Sequence, residues 1–369
     1  LNLWASIVFL SVGSIKKIYI FVGSFITHEI ETVMKLAIVI LNWNGASFLE
    51  KFLPYLFQNT PSEYEIVVAD NGSKDDSISF LKTHYPDLRL IQFDINYGFA
   101  GGYNKALEQI DAEYYCILNS DIEVTPGWVD PILKMLDENP HIAAVQPKIL
   151  SYDKRTHFEY AGASGGFLDF LGYPFCRGRL FSVVEEDRNQ YDTPMPIFWA
   201  TGAALFVRST VYHELKGFDA DFFAHMEEID FCWRIHNHGY EIWVEPASVV
   251  YHVGGGSLPK SNPFKTYLNF RNNWFLLIKN LPINKLRSTL WIRFFMDQVA
   301  AFSFLLTGKW REFKAVWKGI YHALKDYKKT KAKREILPDN GYFKTYPHSS
   351  VVQYYLKRKR KFNGVEMEG

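Results

Sequence analysis

An apolar run, Cys116-Ile117-Leu118, ends in Asn119-Ser120-Asp121-Ile122-Glu123-Val124, and Thr125-Pro126-Gly127 breaks the pattern straight afterwards. Such a run reads as a buried parallel strand that delivers Asp121 to the rim of a sheet. Open α/β sheets bind ligands outside the carboxyl ends of their strands. A carboxylate there can hold a divalent cation, and the cation a diphosphate. The competing reading is that Asp121 caps a helix starting near Trp128. A second acidic group, Glu227-Glu228-Ile229-Asp230, opens a helix. It is either an ordinary dipole-matched first turn or the source of a catalytic base. His252 ends an apolar run and is followed by Val253-Gly254-Gly255-Gly256-Ser257. It reads as a hydrogen-bonded strand-end residue or, given its glycine flank, as a reachable ligand.

The elements that must position these groups alternate in type. Leu36–Leu41 is an apolar strand closed by Asn42-Trp43-Asn44-Gly45, and Ala46–Gln58 has helical spacing. Glu65–Ala69 is a second strand, ending in Asp70-Asn71-Gly72-Ser73, and Lys74–His84 reads as a helix with Asp75 and Asp76 in its first turn. Leu88–Phe93 is a third strand, followed by a glycine-rich loop through Gly98, Gly101 and Gly102 to Asn104. This βαβαβαβ order predicts a mostly parallel, Rossmann-like sheet with helices on both faces. The polar clusters all fall at carboxyl ends of strands and so share one rim. Beyond it, Val145–Ile149, Ile242–Glu245 and Val249–Tyr251 read as strands. Gly162–Gly178 reads as an irregular loop or hairpin, and Phe198–Arg208 as an apolar run with small residues in its middle.

Composition bounds the function. The 369 residues are 48% hydrophobic and 17% aromatic, with a net charge of +1, which carries no global nucleic-acid signature. The three cysteines are far apart, with neither disulfide nor zinc spacing, as expected in a reducing cytoplasm. Residues 1–33 differ in character from the rest of the chain. They hold two apolar runs split by Lys16-Lys17, each too short to span a membrane, and the first methionine is Met34. We read this segment as translated upstream sequence, with a weak membrane-surface anchor as the alternative. At the other end, Leu290–Leu306 is nearly all apolar but is interrupted by Arg293 and Asp297, four apart and able to pair on one helix face. Lysines, arginines and aromatics follow it. An interfacial helix on an anionic membrane surface fits this pattern better than a span with two central charges. The alternative is a helical cap with a solvated basic face.

Taken in order, Val39–Gly45, Asp70–Ser73, Asn96–Asn104, Asn119–Asp121, Trp199–Ala203, Glu227–Arg234 and His252–Ser257 resemble the motifs of the family 2 glycosyltransferases with the GT-A fold. The likeness is to the rhamnosyltransferase-like branch of bacterial polysaccharide synthesis. It covers residues 34–282, with residues 283–369 as a helical, basic C-terminal extension. It implies that a nucleotide-sugar donor contacts Leu41, Asn42, Asn44, Asp70, Asn71, Gly101, Gly102, Asn104, Asn119 and Ser120, with Asp70 on the base. Asn119-Ser120-Asp121 stands where the family has its DXD motif. Asn119 replaces the first Asp, so Asp121 carries the metal contact, with His252 as second ligand. Glu228 falls where the family has the Asp that acts as base, and Glu227 and Asp230 are its rivals.

The residue types suit that chemistry. Mg²⁺ or Mn²⁺ neutralises a diphosphate leaving group, and an imidazole ligand favours Mn²⁺. A partly buried carboxylate can take the proton of the acceptor hydroxyl, and one direct displacement inverts the anomeric centre. The donor is expected to be a UDP- or dTDP-sugar, and the acceptor lipid-linked or a polysaccharide. The enzyme is expected in the cytoplasm, peripheral on the inner face of the membrane. Two other readings compete: an inactive relative that binds a nucleotide sugar or glycan, and a nucleotidyltransferase. The second would need a basic glycine-rich loop after the first strand, and Asn42-Trp43-Asn44-Gly45 has none.

Overall fold

The computed structural model describes residues 5–12, 15–22, 25–254, 262–335 and 345–362, with side chains from residue 33 onward. Gly255-Gly256-Ser257 of the His252 motif lie outside the described residues. The chain opens with an antiparallel meander, β1 (Ala5–Val12), β2 (Ile15–Val22) and the first part of β3 (Phe25–Asn42). From Met34 onward β3 enters the main sheet. There follow α1 (Ala46–Asn59), β4 (Glu65–Asn71), α2 (Ser77–His84), β5 (Arg89–Phe93), α3 (Gly98–Leu107), β6 (Ala112–Asn119), the short β7 (Ile122–Val124), α4 (Asp130–Glu138) and β8 (Ile142–Ser151). The order across the main sheet is β5-β4-β3-β6, then β14 (Ala204–Arg208), β8 and β15 (Glu241–His252). All neighbours are parallel except β14, which runs against both β6 and β8.

The continuous apolar runs of the parallel strands follow from burial on both faces. In β3, Leu36, Ile38 and Ile40 pack with Leu49, Leu53 and Leu56 of α1, while Ala37 and Val39 pack with Ala100, Tyr103 and Ala106 of α3. Residues 162–178 form more than a loop. β9 (Gly166–Leu168), β10 (Pro174–Cys176), β11 (Arg179–Leu180) and β12 (Val183–Val184) make a small antiparallel sheet. The edge strand β13 (Met195–Pro196), the helix α5 (Ser209–Glu214) and the helix α6 (Glu227–Asn237) complete the half of the domain that faces the rim. The three cysteines are free and buried.

Two helix starts differ from the sequence expectation. Helix α2 begins at Ser77 rather than Lys74, because the Asp75 carboxylate accepts hydrogen bonds from the Ala46 amide (3.0 Å) and the Ser77 hydroxyl (2.6 Å) and holds residues 74–76 as a turn. The glycine-rich stretch is already helix from Gly98. The Phe223 carbonyl accepts the amides of Phe99 (2.7 Å) and Ala100 (3.3 Å), giving two orphan first-turn donors a partner.

The C-terminal region is helical: α7 (Pro263–Asn280), α8 (Ile283–Leu306), α9 (Trp310–Lys325), α10 (Tyr327–Ala332) and α11 (Ser350–Tyr355). Along its middle, helix α8 turns three polar residues inward and several large apolar ones outward. Thr289, Arg293 and Asp297 are buried; Trp291, Phe295, Val299, Phe302 and Leu306 are exposed, Leu306 by 88%. Arg293 and Asp297 pair at 3.1 Å, as their spacing predicts. Trp274 of α7 donates from Nε1 to Asp297 (2.8 Å), and the Arg293 guanidinium stacks 4.0 Å from the Tyr173 ring centre. The two charges are thus neutralised inside the protein. By length and composition α8 could cross a membrane.

Gly98 has φ +74°, and a Cβ there would lie 2.5 Å from the Phe223 carbonyl oxygen. Gly98→Ala should therefore lower the free energy of unfolding by ~1–3 kcal/mol, read from urea denaturation. A variant as stable as the parent would show that this contact does not hold α3 in place.

Candidate active site

The carboxyl ends of β3, β4 and β6 meet at one rim. Asn42 is buried and donates from Nδ2 to Asp70 (2.9 Å) and to the Ser73 hydroxyl (3.2 Å), and the Ser73 amide returns to Asp70 (2.9 Å). Asp70 therefore lies beneath the rim with both carboxylate oxygens engaged, and it ties two loops together. Above it, Trp43 and Asn44 are exposed and Leu41 is half-buried. Asn44 has φ +50° and accepts the Lys74 amide (2.7 Å). Oδ1 of Asn42 finds no partner among the described residues. A Cβ at Gly45 would come within 2.5 Å of this buried oxygen, so the close approach requires glycine there.

Three residues expected to meet the nucleotide make contacts that hold the fold. Asn71 holds the turn before α3, donating to Asn96 (3.0 Å) and to the Gly98 carbonyl (3.0 Å). Gly102 lets α3 approach β3, since a Cβ would lie 2.8 Å from the Leu41 methyls. Asn104 accepts the Phe218 amide (3.0 Å) and the Tyr212 hydroxyl (2.7 Å) and donates to the Phe218 carbonyl (2.8 Å), so it pins the turn after α5. Gly101 is buried between Tyr97 and Ala220. Asn119 and Ser120 stay half-buried at the end of β6, where the Asn119 amide donates to the Ala203 carbonyl (2.9 Å).

Asp121 is not a helix cap. Helix α4 begins at Asp130 without it, and Asp121 Oδ1 lies 3.1 Å from Nε2 of His252 at the end of β15. The pairing of β7 with β15 brings these two residues, 131 positions apart, together. The opposite nitrogen, Nδ1, lies 3.5 Å from Glu159. Burial alone would lower the His252 pKa, but the two carboxylates reverse this and push it up to about 10. Burial likewise opposes ionisation of Asp121 and Glu159, and the imidazolium outweighs it, holding both below the usual carboxylate range. The neighbouring Glu123 is taken by Arg155 through two contacts (2.9 and 2.8 Å). Glu159 was not legible in the sequence: it stands alone on an irregular segment, and only the fold sets it behind His252.

A cation can replace the proton that Asp121 and His252 share. Among the described residues no group of three or more His, Cys, Asp or Glu can hold a metal unaided. The donor set therefore fits an ion that takes its other ligands from phosphate and water, as Mg²⁺ and Mn²⁺ do. Glu159 would orient the imidazole from behind, the usual second partner of a metal-binding histidine.

The acidic start of α6 faces the same rim. Cβ of Glu228 is 3.8 Å from the Cβ position of Gly202, one residue before Ala203, whose carbonyl receives the Asn119 amide. The backbone ahead of α6 is strained, with left-handed φ at Phe223 (+66°), His225 (+68°) and Met226 (+74°). Such strain needs support. Asn272 of α7 supplies it, donating to the carbonyls of Phe222 (2.9 Å), Ala224 (2.8 Å) and His225 (2.7 Å), and Arg271 adds a bond to Phe222 (2.9 Å).

The three carboxylates of α6 have different fates. Asp230 is fully buried and bonded to Arg234 (3.0 Å), Lys279 (2.8 Å) and Asn280 (2.9 Å). Burial opposes its charge, the two cations win, and its pKa is lowered, so it anchors the helix. Glu227 and Glu228 each keep a buried Oε2 with no partner among the described residues. Burial pushes Glu228 up to about 7, and burial plus the Glu228 and Asp230 charges hold Glu227 well above the ordinary carboxylate value.

Residues 37–209 match the family model "Glycosyl transferase family 2", and this part of the chain is a family 2 glycosyltransferase domain. The chain is similar to the N-acetylglucosaminyl-diphospho-decaprenol L-rhamnosyltransferase of Mycobacterium tuberculosis, with 26% identity over 236 residues covering 59% of this chain and 76% of the relative. It is also similar to the low-salt glycan biosynthesis hexosyltransferase Agl10 of Haloferax volcanii, at 21% over 245 residues, 65% of this chain and 74% of the relative. Among solved structures, S. aureus TarS 1-349 aligns with TM-score 0.51 and 18% identity, covering 82% of this chain and 83% of that one. GalNAc-T7 with UDP, GalNAc and Mn²⁺ aligns with TM-score 0.53 and 16% identity, covering 70% of this chain and 50% of that one. The GT-A fold expected from the sequence is thereby borne out.

The raised Glu228 pKa makes stability depend on pH. Between the ordinary value of 4.5 and about 7, the folded protein keeps a proton that the unfolded chain has released. Its contribution is complete below that window and is lost as pH rises through it. Glu228→Gln should flatten the fall in stability across this window, read by urea denaturation at several pH values. An unchanged slope would place the titration on another group.

Proposed function

We infer that this chain is an inverting, metal-dependent glycosyltransferase that moves a sugar from a UDP- or dTDP-linked donor to a lipid-linked acceptor hydroxyl. The observation that carries the reading is the pair of half-satisfied carboxylates, Glu227 and Glu228, beside the loop that binds the end of β6. A carboxylate poised at about 7 is matched to proton transfer near neutrality.

In this reading Leu41, Asn42, Asn44, Asn119 and Ser120 line the donor side of the rim, on loops held from below by Asp70 and Asn71. Asp121 and His252 would hold Mn²⁺ or Mg²⁺, which when bound supplies positive charge to the diphosphate leaving group. Glu228 accepts the acceptor hydroxyl proton as the new C1–O bond forms and the bond to the diphosphate breaks. Glu227 stands next to Glu228 in the chain, with its own pKa raised by burial. Asp230 positions both through α6. One displacement needs no covalent nucleophile and inverts C1.

The rhamnosyl donor and the lipid-linked acceptor are supported by the printed activity of the M. tuberculosis relative. The catalytic unit spans residues 34–282. Residues 283–369 form the extension that rests on an anionic membrane surface, supported by the outward apolar face of α8 and by Trp310, Lys314, Trp317 and Lys318, which are exposed along α9. In this reading the enzyme works at the cytoplasmic face of the membrane.

Thermal unfolding with UDP, dTDP, GDP or CDP, with and without Mn²⁺, tests the reading. One nucleotide at about a hundred times its Kd should add ~2.7 kcal/mol of stability in a metal-dependent manner. Asp121→Ala should abolish the metal-dependent part. Stabilisation by no nucleotide would defeat the proposal.

A further inference from the structure

Between α8, the end of α9 and the start of α10 lies a cleft of about 430 Å³, within the roughly 300–1,000 Å³ range of ligand pockets. Its walls are apolar: Leu286, Leu290 and Phe294 of α8, Trp274 of α7 and Leu324 of α9. Arg287 is the sole charged residue of its lining. The mouth opens among exposed apolar side chains, Ile283, Trp291 and Leu324. Lys285, Lys325 and Lys328, each adjacent in sequence to a lining residue, are exposed, and the single acidic residue of α8, Asp297, is buried and paired. An apolar slot with an arginine in its lining is complementary to a hydrocarbon chain that ends in phosphate.

Its position selects among such chains. Trp274, which forms one wall, is two residues from Asn272, which holds the carbonyls of the strained turn before Glu227. The same stretch of α7 thus borders the cleft and supports the base. On the transferase reading, the carrier chain of a lipid-linked acceptor runs from the membrane surface to the rim, and α7 borders both the cleft and the turn before Glu227.

We propose that the α8–α9 cleft binds the polyprenyl chain of the lipid-linked acceptor, with Arg287 on its diphosphate. The cleft gives the acceptor a binding contribution remote from the reacting hydroxyl, which orders the hydroxyl near Glu228. The inference rests on the transferase reading, and its test separates the two.

The test uses the full chain and geranylgeranyl diphosphate as probe, with binding followed by quenching of tryptophan fluorescence. Inorganic diphosphate and phosphatidylglycerol serve as competitors. The probe should bind saturably, and a tenfold excess of either competitor should leave its apparent Kd within twofold. Leu290→Trp, which fills the cleft, and Leu324→Asp, which puts a negative charge at its exposed mouth, should each weaken binding at least tenfold. Both variants should bind nucleotide with Mn²⁺ as the parent does, which shows that they are folded. Equal probe binding by parent and both variants would overturn the proposal, as would full competition by phosphatidylglycerol. Probe binding lost in the variants without nucleotide binding in any protein would support the cleft while defeating the donor reading.

Discussion

Asp230 is the point on which the catalytic half of the molecule depends. Its carboxylate is fully buried and is shared by Arg234 on its own helix and by Lys279 and Asn280 on α7. Removing one partner from such a buried group costs about 3–5 kcal/mol, because the others are left uncompensated. The network therefore holds α6 and α7 in one arrangement. Lys279 also reaches Asp219 (2.7 Å), and Lys333 after α10 closes on Asp219 and Asp221. The base-bearing helix, the turn before it and the C-terminal helices are tied through one buried set of charges.

With α6 fixed, the environment of each carboxylate decides its role. Glu123 has Arg155, Asp121 and Glu159 share His252, and Asp230 has two cations. Glu228 has no such cation, and burial keeps its proton near neutrality. The strain in the preceding turn has the same logic. Left-handed φ at three non-glycine residues within four positions is costly, and Asn272 and the α3 amides bind the carbonyls of that turn in compensation. The buried polar contacts thus hold the start of α6 and the turn before it in one arrangement.

Much of this was legible in the sequence, for identifiable reasons. Strands β3, β4 and β6 announce themselves because burial on both faces makes them continuous apolar runs, and their polar ends mark the rim. The i,i+4 spacing of Arg293 and Asp297 predicted their pairing. That they point inward, with the apolar face of α8 left outside, depends on tertiary packing against Tyr173 and Trp274. Asn104 was expected at the nucleotide from the family resemblance; in the structure the Phe223 carbonyl extends α3 back to Gly98 and Asn104 bonds to Phe218. Glu159 lies in no periodic element. Its place behind His252 emerges only when β15 is laid beside β8.

The central claim is that the Asp121–His252 pair, and not some other acidic cluster, receives the cation that holds the donor diphosphate. The direct measurement is anomalous diffraction at the manganese edge from crystals grown with Mn²⁺ and the stabilising nucleoside diphosphate. The account predicts one anomalous peak in contact with Asp121, His252 and the diphosphate oxygens. A bound nucleotide whose diphosphate lies elsewhere on the rim, or a manganese peak that touches neither residue, would contradict it.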